Sequence, residues 1–257
     1  MFSRFAAFVY GSICYLIFLG TFLYAIGFLG NLWVPKSIDS GLDGPLSIAL
    51  LVDVALLGVF AIQHSLMARQ GFKRGWTRLI PTAVERSTYV LFSSLTLLFL
   101  FWQWRPIGGV IWSVESSFGR AIIYTIFALG WATVLLCTFL IDHFDLFGMR
   151  QVYLYLRGRD HKAIAFRTPA LYRMVRHPLY LGWLMVFWAA PTMTVAHLVF
   201  ALMTTGYILV AIQLEERDLT DLYGDLYRNY RKRVPMILPL KMPALPDVNT
   251  ARKRSSI

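Results

Sequence analysis

Residues 176–216 read RHPLYLGWLMVFWAAPTMTVAHLVFALMTTGYILVAIQLEE, and the reading of this stretch decides the fold. Between the cationic start Arg176-His177 and the paired carboxylates Glu215-Glu216, the 36 residues from Leu179 to Leu214 carry no formally charged side chain. A single helix crosses a bilayer in about 20 residues, so the stretch is too long for one crossing. Pro191 and Thr192, with Thr194 close behind, break it near its first third. A helical hairpin over 179–214 is expected, with both ends on one membrane face, so that a basic cluster and two carboxylates share one mouth.

Outward from this hairpin the chain keeps the same character. It has 257 residues, 57% hydrophobic and only 15% charged, too few polar side chains to cover an ordinary soluble surface. Further spans are expected at 5–30, 45–63, 87–104 and 121–141, giving an all-α polytopic integral membrane bundle of five to six transmembrane segments. The first span lacks a small-x-small cleavage site and is read as retained. The net charge of +11 could suggest nucleic acid, but the cations follow the membrane instead. With the N-terminus inside, 22 of 25 Lys and Arg fall in cytoplasmic segments, and only Lys36, Arg105 and Arg120 lie outside. Both termini are therefore assigned to the cytoplasmic face, and the lipid bilayer is the expected partner of the excess charge. Cys14 and Cys137 lie inside apolar spans and are read as packing residues. One domain over 1–239 and a basic, disordered tail over 240–257 complete the expected organisation.

This topology sends most polar residues near span ends to the cytoplasmic side. They are His64; Glu85 and Arg86; Asp142, His143 and Asp145; Arg176 and His177; Glu215 and Glu216. Polar groups at such depth are costly unless paired, hydrated or lining a cavity, so a cytosol-open pocket is expected. Arg69, Lys73, Arg74 and Arg78 read as headgroup anchors, and His64 as either a helix cap or a site residue. Asp53 and His197, away from the mouth, read as buried pairing partners. Leu219, Leu222, Tyr223, Leu226, Tyr227 and Tyr230 follow helical spacing and predict an amphipathic interfacial helix, a lid or an anchor, ended before Pro235.

A mouth holding Arg, His, two carboxylates, aromatic rings and a helix start at Pro178 suits a zwitterionic nucleoside with an added positive centre, a description that S-adenosylmethionine fits. The pattern Arg176-His177-Pro178, Tyr180, Gly182, apolar hairpin, Glu215-Glu216, Leu219, Gly224, Tyr227, Tyr230 and Arg233-Val234-Pro235 resembles the cofactor signature of the isoprenylcysteine carboxyl methyltransferase and phospholipid methyltransferase superfamily, over roughly 173–239. Residues 63–69 (QHSLMAR), 85–89 (ERSTY) and 101–106 (FWQWRP) resemble the membrane methanethiol S-methyltransferases, whose early spans are related to NnrU-like proteins.

The resemblance implies that His177, Tyr180 and the backbone near Leu181 and Gly182 contact the cofactor. Glu215 and Glu216 would hold its ammonium or ribose, Arg176 or Arg233 its carboxylate, and Tyr227 and Tyr230 would close over it. The implied reaction is attack of a small thiolate, most simply methanethiol, on the sulfonium methyl, giving dimethyl sulfide and S-adenosylhomocysteine without a metal. His143, oriented by Asp142 or Asp145, is the first candidate for the base and His64 the second. Trp102, Trp104, Trp183 and Trp188 could wall an acceptor pocket, although Trp102 and Trp104 fit an outer aromatic belt better. Two other readings stay open: methylation of a lipid or prenylated carboxylate, and a non-catalytic NnrU-like membrane protein. The residues do not fix the oligomeric state.

Overall fold

A computed structural model of the chain describes residues 3–41, 44–161 and 166–239; the expected basic tail at 240–257 lies outside the described residues. The elements are α1 (Arg4–Gly30), α2 (Leu46–Ala68), α3 (Gln70–Trp76), α4 (Thr82–Gln103), β1 (Val110–Ser113), α5 (Ser117–Ile141), α6 (His143–Leu146), α7 (Met149–Leu156), α8 (Pro178–Trp188), β2 (Thr192–Thr194), α9 (Val195–Tyr223) and α10 (Asp225–Arg233), with a 3₁₀ turn at Ala170–Arg173. Helices α1, α2, α4, α5 and α9 are each long and apolar enough to cross a membrane. The chain is an integral membrane helical bundle, as its sequence leads one to expect.

The hairpin is asymmetric. Its first arm, α8, has 11 residues, about 16 Å at 1.5 Å per residue, well short of a ~30 Å hydrocarbon core. Pro178 occupies the first turn of α8, where its missing N–H costs nothing. Instead of a tight turn, the chain then forms β2, which pairs antiparallel with β1; this small sheet interrupts the otherwise all-helical reading. The Thr194 hydroxyl caps α9 by accepting from the backbone N–H of His197. The second arm does not stop at Glu215-Glu216 but runs on through them to Tyr223.

Packing fixes what the sequence left open, the order of helices around the bundle. Helix α8 lies on α5 and α9, α2 on α9 and α4, and α1 on α4 and α7. An edge-to-face contact of Phe22 with Trp131, 5.0 Å between centroids, joins α1 to α5. The α5/α8 crossing is closest at two glycines. A Cβ on Gly182 would stand 3.0 Å from the Gly130 carbonyl oxygen, and one on Gly130 would stand 3.0 Å from the Gly182 oxygen. Outward faces carry exposed Leu51, Ile62, Leu66, Phe139 and Val210, the surface a lipid-facing bundle requires.

The loops separate to two ends. At one, Lys36 Nζ donates to the Trp102 carbonyl at 2.6 Å, Trp104 Nε1 to the Ile38 carbonyl at 3.1 Å and Trp112 Nε1 to the Ala190 carbonyl at 3.1 Å. Trp102 is exposed there as a belt residue, whereas Trp104 is fully buried against Phe28 and Phe200, so it belongs to the core and not to a belt or an acceptor wall. Asp53 is buried and accepts the Arg105 backbone N–H at 2.9 Å; His197 is buried with Nε2 on the Phe187 carbonyl at 3.1 Å. Each is paired through one atom, as expected, while Asp53 Oδ2 and His197 Nδ1 are buried with no hydrogen-bond partner among the described residues. The opposite end holds the candidate site.

Candidate functional site

Glu216 sits at the centre of the mouth. Its side chain is 4% exposed. Oε1 accepts from Arg176 Nε at 2.7 Å and from His177 Nε2 at 3.0 Å, and Oε2 pairs with Arg231 Nε at 3.0 Å. One carboxylate thus joins the start of α8, the end of α9 and the last turn of α10, and the basic and acidic ends of the hairpin meet as predicted. The Arg176 guanidinium is further occupied, donating to the carbonyls of Arg231 at 2.8 Å and Val234 at 2.7 Å. The backbone N–H groups of Arg176 and His177 donate to the carbonyls of Pro235 and Met236 at 2.8 and 3.0 Å. A buried charge survives only when it is paired and hydrogen-bonded, and here both carboxylate oxygens of Glu216 face a guanidinium.

Glu215 is the other kind of carboxylate. Its side chain is 46% exposed, Oε2 accepts from the Tyr180 hydroxyl at 3.0 Å, and His177 Nδ1 lies 3.9 Å from the same oxygen. The two adjacent glutamates therefore divide their work: Glu216 holds the helices together and Glu215 offers a free carboxylate edge at the mouth.

Helix α10 differs from the expected apolar stripe. Gly224, with φ +56° and ψ −129°, separates it from α9, a conformation that favours glycine. The break divides the stripe: Tyr227 and Tyr230 are buried, while Leu222 and Leu226 are exposed. The Tyr230 hydroxyl donates to the Tyr172 carbonyl, and Phe166 packs on Tyr223, Tyr227 and Tyr230 with centroids 5.0 to 5.9 Å apart. Burial pushes both tyrosine hydroxyls up, so they remain protonated donors. Arg231 points inward and Arg233 does not; Arg233 Nε donates to its own helix at the Asn229 carbonyl, 3.2 Å. The signal for Arg231 was present in the sequence, because it follows Tyr227 by four residues and shares its helix face.

The remaining polar span ends do not join this mouth. His143 is buried, with Nε2 2.9 Å from the Tyr15 hydroxyl and Nδ1 2.8 Å from the Thr138 hydroxyl, and its ring stacks on Phe139 at 4.3 Å. Neither expected carboxylate orients it. Asp142 accepts the Asp145 backbone N–H at 3.1 Å, capping α6, and Asp145 accepts from His161 Nε2 at 2.6 Å, Gln151 Nε2 at 3.2 Å and Arg150 at 3.3 Å. Burial lowers the His143 imidazole, a shift Asp142 only partly opposes. Lys73, Glu85, Arg86, Asp142, Asp145 and His161 line a cavity of about 290 Å³ of their own. Among the described residues no hydrogen bond or ion pair links it to Glu215 or Glu216. His161 and Tyr15 were not read from sequence, since neither sits in a periodic or motif context. His64 is half-buried and bonded to α4. Pro178 is buried at the α8 start, Gly182 at the crossing with Gly130, and Leu181 packs against the main core.

Comparison with known proteins then gives the family. No family model matches the chain, and no solved structure matches it. Methanethiol S-methyltransferase of Crocosphaera subtropica is 60% identical over 92% of this chain and 93% of its own length. The enzyme of the same name from Mycobacterium tuberculosis is 55% identical over 92% of this chain and 97% of its own. Nurim of Xenopus laevis is 29% identical over 85% and 84%. At this identity and coverage, the chain belongs to the methanethiol S-methyltransferase family.

Proposed function

We propose that the protein transfers a methyl group from S-adenosylmethionine to methanethiol, giving dimethyl sulfide and S-adenosylhomocysteine, in one membrane domain over 1–239 with its cofactor mouth and both termini on the cytoplasmic face. The observation that carries the reading is the exposed Glu215 carboxylate, bonded to Tyr180 and seated on the Glu216 clamp, in a chain whose relatives carry this activity in their name. The donor set fits the cofactor: an exposed carboxylate for an ammonium or ribose hydroxyls, a tyrosine hydroxyl, and an aromatic face.

The roles follow from the bonds already made. Glu215 and Tyr180 contact the cofactor directly, whereas Arg176, His177, Glu216 and Arg231 hold the start of α8 against the end of α9. The resemblance implies a direct cofactor contact for Arg176 and Glu216 as well; the bonds they already make to each other, to His177 and to Arg231 favour a holding role for both. Tyr227 and Tyr230 support the mouth from beneath α10. The methyl group arrives activated by its positive sulfur; the protein's share is to align thiol, methyl and leaving sulfur and to take a proton. A lipid-soluble acceptor reaches such a site through the bilayer while the polar cofactor comes from the cytosol.

The test uses the full chain in lipid nanodiscs with methyl-deuterated S-adenosylmethionine and methanethiol in a sealed vial. Headspace dimethyl sulfide three mass units heavier is expected. Deuterium in the extracted lipid, with none in the headspace, would contradict the reading.

A further inference from the structure

The amino-terminal motifs over 63–69 and 85–89 take no part in the mouth described so far, yet the fold brings them together beside it. The Tyr89 hydroxyl lies 3.1 and 2.9 Å from Nδ1 and Nε2 of His64, and Ser93 Oγ lies 3.2 Å from Nδ1. Phe60 stacks on the imidazole with centroids 5.2 Å apart. The end of α2 then follows α9: Ser65 Oγ meets the Tyr207 hydroxyl at 3.0 Å, and Arg69 pairs with Asp218 at 2.8 Å. Glu215 lies between Tyr207 and Asp218 on α9, so Arg69 reaches the level of the mouth and His64, next to Ser65, stands about 12 Å deeper in the bundle, at the level of Tyr207. Tyr207 and Tyr89 are also within electrostatic range of the Tyr180 hydroxyl that bonds Glu215. An imidazole in a span, bonded by hydroxyls from a second helix and set below the mouth, is a costly arrangement that packing alone does not call for.

We propose that His64 accepts the proton of the thiol through the Tyr89 hydroxyl, and that Ser93 is a positioning residue for the imidazole. The inference rests on the methyl-transfer reading above. With Nδ1–H donated to Ser93, Nε2 is the free acceptor. The thiol proton moves to Tyr89 Oη as Tyr89's own proton moves to Nε2. The sulfur electron pair forms the new bond to the methyl carbon, the old carbon–sulfur bond breaks, and its pair stays on the sulfur of S-adenosylhomocysteine. His64 then returns its proton to the cytosolic side. His143 is placed differently, since its hydroxyl partners lie on α1 and α5, away from α9.

The charged and titratable groups around the relay are Glu85, Arg86 and Tyr89 on α4, Tyr180 on α8 with the Glu215 it bonds, Tyr207 and Asp218 on α9, and Arg69 at the end of α2; the Arg86 guanidinium lies 5.0 Å from the centre of the Tyr89 ring. None of them is altered in the test variants except Tyr89. His64→Gln and Tyr89→Phe are compared with the parent in nanodiscs by three readouts: dissociation constant for S-adenosylhomocysteine, kcat for methanethiol between pH 7 and 9, and thiolate absorbance of methanethiol bound beside S-adenosylhomocysteine.

We expect cofactor-product affinity within about threefold of the parent, kcat at pH 7 lower by about 10²-fold, and a deficit that shrinks about tenfold per pH unit as the thiol ionises unaided. Thiolate absorbance at pH 7 should be present in the parent and absent in both variants. A kcat deficit that is constant across pH, or no deficit, overturns the inference while leaving the methyl-transfer reading intact. A parent that binds no S-adenosylhomocysteine overturns both. If His64→Gln fails to fold, Tyr89→Phe, which keeps ring and volume, decides by the same criteria.

Discussion

Glu216 joins three helices through one carboxylate, and its removal should cost stability before it costs chemistry. Glu216→Ala leaves Arg176, 10% exposed at its side chain, without its counter-charge and His177 Nε2, on a side chain 4% exposed, without its hydrogen-bond partner. Breaking one partner of a buried pair costs roughly 3–5 kcal/mol. Thermal unfolding in detergent should show that loss, and an unchanged midpoint would mean that the clamp is not formed. His143 gives a second prediction at this scale, with its sign fixed by burial. A base whose folded pKa is lowered is stabilising while neutral, so its contribution is full above the unfolded value of about 6.5 and is lost as pH falls below it through the lower folded value. His143→Gln should flatten the acid limb of stability below about pH 6.5 while turnover at pH 7 persists. A variant that folds normally and loses turnover at pH 7 would return His143 to the chemistry. The clustering of Arg176, His177, Glu215 and Glu216 was legible from residue type and span ends. The separate duties of the two glutamates were not, because adjacent residues on a helix point about 100° apart and only packing tells which one faces inward.

At the scale of elements, the α5/α8 crossing depends on two glycines. A Cβ on Gly182 meets backbone of α5 at 3.0 Å, which a flexible side chain cannot relieve, so Gly182→Val should separate the helices at roughly 1–3 kcal/mol or more. Unaltered stability and unaltered cofactor affinity would argue against this crossing. Gly224 sets the angle of α10. Its positive φ makes Gly224→Ala strained, by about 1–3 kcal/mol, although no atom stands near the new methyl. Because α10 carries Arg231 to Glu216, the expected result is weaker binding of S-adenosylhomocysteine together with a lower melting temperature. The hairpin as a unit was legible from an uncharged run too long for one span. Its unequal arms were not: the β1–β2 pairing involves residues some 80 apart in sequence and leaves no local period. The Gly224 break was likewise hidden inside a continuous apolar spacing.

For the molecule as a whole, the five long spans and their approximate bounds follow from composition and length, and the charge bias over the loops matches the two ends into which the structure sorts them. The helix order around the bundle carries no sequence signal, since the spans are all strongly apolar; one pocket was expected, whereas the structure builds the Asp145 cavity apart from the Glu216 mouth, with the His64–Tyr89 pair on the mouth's inner side. In the proposed function the mouth between the two hairpin ends holds the cofactor by Glu215. Calorimetric titration of S-adenosylhomocysteine into the nanodisc-embedded protein tests it most directly. One site per chain is predicted, weakened tenfold or more in Glu215→Gln with the melting temperature unchanged, since that side chain is exposed and outside the clamp. Equal affinity in parent and Glu215→Gln would contradict the account.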